Sequence, residues 1–208
     1  MGRERRITPR ELYTGKIYEK EYFGEIDTND PRIFEEIKKY RQPSKNPNFE
    51  FWMNFRDALK IAKEFQPIDK TDPERKRVDP ANPAAPLLRD LKEALIEQWG
   101  LTDEEADDLK LYTAVGSPLD FLHKVDAFID YEGRIVTLDL TLRTETGKKT
   151  ADVIISGELP SPDDPKTEDA YLHRVDEIAA DIIEQYKRKT PPKRAIIERP
   201  RAVPPEAA

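Results

Sequence analysis

The sequence predicts an α+β fold: a central mixed β-sheet with an antiparallel meander, flanked by helices and preceded by a helical N-terminal region. Three observations carry this. Residues 136–143 alternate apolar and polar side chains and are dominated by β-forming types. Residues 168–187 set Tyr171, Leu172, Val175, Ile178, Ile182 and Tyr186 on one helical stripe. The 18 prolines crowd into particular stretches, which punctuate the periodic segments.

At 208 residues, the chain suffices for one main domain with a smaller helical part. The expected divisions are a helical region at 1–66, a linker rich in proline and charge at 67–86, an α/β core at 87–198 and a disordered tail at 199–208. A net charge of −7 excludes a surface that is basic all over, so any nucleic-acid contact must come from a local patch. The absence of cysteine removes disulfides, thiolate metal sites and cysteine nucleophiles, leaving oxygen and imidazole ligands. Without a long apolar run or an apolar signal core, the expectation is a soluble, cytoplasmic protein with no membrane contact.

In chain order, Asn29-Asp30-Pro31 opens a short helix reaching about Tyr40. Asn48 is expected to cap a second helix, with Phe51, Trp52, Phe55, Leu59, Ala62 and Phe65 on its buried face. Pro86 opens a third, whose leucines Leu87, Leu88, Leu91 and Leu95 share a face and whose C-terminal cap is Gly100. Thr102 and Glu105 form a capping box. A strand is expected at 109–115 and one helical turn from Ser117-Pro118 to His123. Residues 125–131 fit a strand closed by a tight turn at Glu132-Gly133, although Phe121, Leu122, Val125, Phe128 and Ile129 also satisfy a helical template. Val153-Ile154-Ile155 is a third run in the same meander, and Ala195-Ile196-Ile197 a short last strand.

Strand alternation puts Leu138, Leu140 and Leu142 on one face and Thr137, Asp139, Thr141 and Arg143 on the other, with Asp126 sharing the polar side of the preceding strand. If the hairpin closes at Glu132-Gly133, Asp126 and Asp139 approach one another. Two carboxylates so placed suit Mg²⁺ or Mn²⁺, which take hard oxygen ligands. The competing explanation is a solvated sheet face on which Asp, Thr and Arg serve solubility. No phosphate-cradling glycine loop, HExxH helix or nucleophile elbow is present.

Val125-Asp126, a short hairpin and then Leu138-Asp139-Leu140-Thr141 resemble the PD-(D/E)xK nuclease superfamily, whose fold is restriction-endonuclease-like. The resemblance covers about 35 residues and extends by element order to roughly 87–197. It implies metal-dependent phosphodiester hydrolysis of DNA or RNA, with Asp126 and Asp139 as metal ligands and the Leu140 carbonyl as a further oxygen. Thr141 occupies the position of the superfamily's lysine, a departure that also fits a catalytically inactive nucleic-acid- or protein-binding accessory factor. Arg143, Lys148 and Lys149 are the nearby cations that could replace that lysine. A third acid is expected from Asp120 in preference to Glu93 or Glu97, which lie off the leucine stripe. His123 is close enough to serve as base or phosphate contact but is more readily structural, His173 has no role, and Asp152 either faces the site or ends a turn.

Overall fold

The structure is a computed structural model that describes residues 9–142 and 151–189, with side chains from Gly15 onward. Arg143, Lys148, Lys149, the strand expected at 195–197 and the tail at 199–208 lie outside the described residues. In chain order the elements are α1 (Pro9–Phe23), α2 (Arg32–Tyr40), β1 (Gln42–Pro43), β2 (Phe51–Trp52), α3 (Phe55–Glu64), α4 (Pro86–Trp99), α5 (Asp103–Asp108), β3 (Lys110–Thr113), α6 (Pro118–His123), β4 (Ala127–Tyr131), β5 (Arg134–Thr141), β6 (Val153–Ser156) and α7 (Glu168–Arg188). No helix among the described residues is long and apolar enough to cross a membrane.

The main sheet is mixed and runs β3-β4-β5-β6. β4 and β5 form a hairpin closed by Tyr131 opposite Arg134. Its two loop residues, Glu132 (φ 49°) and Gly133 (φ 75°), both have positive φ, which matches the right-handed twist of the strands they join. β3 adds antiparallel to β4, so the antiparallel meander consists of β3, β4 and β5. The apolar run at 153–155 departs from the expected meander because β6 pairs parallel to β5, with Leu138 opposite Val153. A reciprocal clamp sets that register. Asp152 Oδ2 accepts from the Thr137 N–H and hydroxyl, both at 2.8 Å, while the Asp152 N–H donates to Thr137 Oγ1 at 2.9 Å.

Both faces of the sheet are covered. Ala127, Ile129, Val136, Leu138 and Leu140 pack with α4, α7 and the C-terminal end of α1. On the opposite face Tyr112 and Phe128 stack at 4.8 Å and meet α3, α6 and Ile33 of α2. The second face is therefore buried by helices, and Thr137 and Asp126 on it are nearly inaccessible. A solvated face does not account for these two residues, whereas Asp139 and Thr141 further along β5 remain partly exposed.

Several local expectations are met in detail. Gly100 ends α4 at φ 64°, the Thr102–Glu105 capping box is complete, and Ser117 caps the single turn of α6. Others are corrected. The strand expected from Val125 starts at Ala127. The cap of α3 is Asn54, whose side chain accepts from the Asp57 N–H, and not Asn48. Phe51 and Trp52 precede that helix in a small β-ribbon, and the buried face of α3 is Ala58, Ile61 and Ala62. Trp52 and Phe55 are exposed, as are Leu142, beyond the end of β5, and Leu172 on α7. α1 falls in a stretch that carries no predicted helix. Its Tyr22 and Phe23 belong to the larger core.

The edge of β3 is closed by side chain and loop. Gln66, just past α3, donates Nε2 to the carbonyls of Ala62 (2.6 Å) and Thr113 (2.9 Å) and accepts from the Thr113 N–H at 3.2 Å. The Leu111 N–H donates to Pro80 O at 2.9 Å. Exposed strand edges invite pairing with other chains, and these bonds occupy this one. Gln66→Ala leaves buried backbone groups of β3 unpaired, with an expected cost of about 2–3 kcal/mol. Urea unfolding monitored by circular dichroism measures it, and a loss below about 0.5 kcal/mol would show that the edge does not depend on this side chain.

Candidate metal centre

Asp126 occupies the bend where α6 hands the chain to β4. Its N–H donates to Leu138 O at 2.9 Å and its carbonyl accepts from the Ala114 N–H at 2.7 Å, so neighbouring strands hold its backbone on both sides. Its Oδ2 accepts from the Leu140 N–H at 2.7 Å. Asp139 comes one step beyond the Ala127–Leu138 pair, across from Asp126, and the two carboxyls lie close enough to act on each other's charge. The expected pair therefore meets across the two strands.

Asp120 joins from α6, with its Oδ2 accepting from the Gly116 N–H at 2.9 Å. A fourth acid arrives from α1, where Glu19 is half-buried. One oxygen each from Glu19, Asp120 and Asp126 lie within 4.8 Å of one another. Oxygens on opposite sides of a Mg²⁺ ion are ~4.2 Å apart at Mg–O distances of ~2.1 Å. The donor set is all oxygen and largely carboxylate, so its chemistry fits a hard divalent ion.

Burial and like charge dominate the electrostatics. Asp126, 2% exposed, is pushed well up, first by desolvation and then by Glu19 and Asp120, against the stabilising Leu140 N–H. Asp139 is raised by desolvation, and Asp120 is raised by the same cause. Desolvation, then Asp120 and Asp139, push Glu19 from 4.5 to about 7. The opposing cations are Lys16 and Lys124, both exposed. Burial and mutual repulsion favour the protonated forms of these acids, and a divalent cation relieves the same repulsion when it displaces the protons.

Compared with known protein families, curated proteins and solved structures, the chain matches none. Its chemistry therefore rests on the residues themselves.

Thr141 closes β5 on the side of the strand that carries Asp139, and its carbonyl accepts from the Gly157 N–H at 2.9 Å. Arg143 lies outside the described residues. His123 is structural: its Nε2 lies 3.0 Å from Met53 O and its ring meets Phe55 edge-on. Asp152 belongs to the β5–β6 clamp and also pairs with Lys189 at 2.7 Å, away from the acids. Glu93 and Glu97 are exposed on α4, as their distance from the leucine stripe predicts, and His173 is exposed near Glu177.

Glu19 and Lys124 are the members of the site that the sequence does not single out. Glu19 sits between Tyr18 and Lys20 in a charged segment, with nothing local to separate it from Glu21. Lys124 caps α6 in the left-handed region at φ 58°, ψ 51°, where glycine is usual. Positive φ cannot be read from a lysine.

Raised carboxyl pKa values make the cluster a pH-dependent burden. Stability from a protonated acid of this kind is fully present below its unfolded value and lost as pH rises through the folded one, here between 4.5 and about 7 for Glu19. The urea midpoint of the metal-free protein should fall between about pH 5 and 8, and Glu19→Gln should flatten the fall. Millimolar MgCl₂ or MnCl₂ should restore the midpoint more at pH 8 than at pH 6, since binding displaces protons. A midpoint indifferent to both pH and metal would remove the site.

Proposed function

We propose that the chain holds Mg²⁺ or Mn²⁺ with Glu19, Asp120, Asp126 and Asp139 and hydrolyses phosphodiester bonds of nucleic acid, as a divergent relative of the PD-(D/E)xK nucleases. The observation that carries this is the convergence of three carboxyls, Glu19 from α1, Asp120 from α6 and Asp126 at the β4 entrance, with Asp139 of β5 beside Asp126. A bound ion of this kind stabilises charge on a phosphate and lowers the pKa of its water. The chain's own part is to fix the ligands. The Leu140 and Gly116 N–H groups orient Asp126 and Asp120 before any ion arrives.

Thr141 supplies no cation, and its hydroxyl does only the weaker part of what a lysine does for a charged phosphate. We assign the cationic role to Lys124, whose charge acts on Glu19, Asp120 and Asp139. Its left-handed backbone offers a separation of roles. Lys124→Gly relaxes the backbone, so stability should stay within about 1 kcal/mol of wild type. Hydrolysis should fall about 100-fold or more, the scale of losing one charge-stabilising group. Unchanged activity in this variant would remove Lys124 from the reaction.

The threonine also favours a second function, a catalytically inactive accessory protein that binds nucleic acid or protein. Cleavage of labelled DNA and RNA by wild type, Asp126→Ala and Asp139→Ala, with Mg²⁺ or Mn²⁺, decides between them. Metal-dependent cutting lost in both variants supports the nuclease. Metal binding lost in both variants, without cutting by wild type, supports the accessory protein. No cutting and no change in metal binding sinks both the ion site and the hydrolysis.

A further inference from the structure

The chain is acidic, yet residues 38–63 hold seven lysines and arginines against two acids, Glu50 and Asp57. In a protein of net charge −7, such a segment is where cations are left to meet a phosphate backbone, once those paired with neighbouring acids are set aside. Lys38, Lys39 and Lys63 are paired with Glu35, Glu36 and Asp130. Arg41, Lys45 and Arg56 are exposed and form no ion pair with a described residue.

Among these cations stands the β1–β2 ribbon, with Gln42 opposite Trp52 and Pro43 opposite Phe51. Alternation sorts its side chains. Met53 is fully buried and Phe51 meets Phe121 of α6 edge-on at 5.9 Å, so those two define the inner side. Trp52 projects from the other side, 43% exposed, and makes no ring contact or side-chain hydrogen bond with a described residue. Phe55, 40% exposed, starts α3 three residues on and lies on the α6 side, edge-on to His123. Trp52 thus offers an indole face to water across from Gln42, whose chain neighbour is the unpaired Arg41, and such a pairing of aromatic face and cation suits an unpaired base and its phosphate.

The ribbon is fixed to the helix that delivers Asp120. Phe121 and His123 of α6 contact Phe51, Phe55 and the Met53 carbonyl on one side, while Asp120 of the same turn faces the acid cluster.

We propose that the 41–56 surface binds single-stranded nucleic acid, by stacking a base on Trp52 and pairing phosphates with Arg41, Lys45 and Arg56, on a ribbon packed against the helix that carries Asp120. Duplex is disfavoured because its base faces are already stacked. The contacts are to base faces and phosphates, so oligo-dT and oligo-rU should bind alike. The proposal deepens the hydrolytic function and rests on it only for the fate of the strand once bound.

The experiment is run in EDTA, which separates binding from cleavage. The chain has two tryptophans, so Trp99→Phe leaves Trp52 as the single reporter. Titration with 15-nucleotide dT or rU should quench Trp52 emission, and a mixed-sequence duplex of equal length should not. With labelled oligonucleotide and anisotropy, Trp52→Ala should weaken binding about tenfold, as expected for one stacked base. Lys45→Glu/Arg56→Glu should weaken it further and flatten its salt dependence. Should Trp99→Phe fail to fold, anisotropy with otherwise wild-type chain and Trp52→Ala gives the same decision. Absence of binding by both single strands, equal quenching by duplex, or unchanged affinity in Trp52→Ala each overturns the proposal. Binding that survives while cleavage is absent leaves it standing and counts against the hydrolysis alone.

Discussion

The hydrogen bond from the Leu140 N–H to the Asp126 carboxylate is the constraint around which the rest is arranged. It takes an acid out of water at the point where β4, β5 and the chain leaving α6 converge, and orients that acid toward a partner strand. Asp139 then has a carboxyl for its neighbour, and α6 and α1 close over the point with Asp120 and Glu19. Every further acid added to a dry site raises the cost of keeping any of them charged. The backbone donors oppose that cost only in part, so the fold carries the repulsion.

Two-sided burial of the sheet obeys the same logic. A sheet with one wet face would let Asp126 and Asp139 ionise freely. Here α3 and α6 cover that face through Phe128 and Tyr112, and the low dielectric that results makes the carboxyls responsive to protons and cations. The helical segment before the core is part of this cover, since Ile61, Ala62 and Phe65 pack on the sheet together with Leu119 and Val125.

Local periodicity is the part of the fold that is legible in the sequence. β5, α7, the Gly100 cap, the capping box at Thr102 and the Glu132-Gly133 turn each depend on residues within a few positions, and each forms where its pattern lies. Strand parity is enough to pair Asp126 with Asp139. Long-range choices escape it. Nothing local shows that β6 runs parallel, because that register is set by Thr137 and Asp152 from different parts of the sheet. The aromatic run at 51–55 imitates a helical face, but Asn54 starts the helix after it and leaves Trp52 outside. Glu19 is hidden for the plainest reason: its partners lie in other elements, and only tertiary contact distinguishes it from other glutamates.

The manner in which α1 is docked has a consequence for local opening. The helix is tied down by Tyr22, whose hydroxyl donates to Leu159 O at 3.0 Å, by Tyr18 at the Leu159 N–H, and by Phe23 in the core. Besides these tyrosine bonds to the loop after β6, Tyr22 and Phe23 sit in the core against α4, whereas Glu19 on the same helix faces three other acids. Repulsion in the metal-free site is relieved with least disruption by lifting this helix, while α4 and α7 stay packed on each other. In the metal-free protein the repulsion at Glu19 lowers the cost of opening α1 relative to the α4–α7 pair, whose packing carries no such charge. Neutralising charge at the acids closes that opening and leaves the helix–helix core beneath it unchanged.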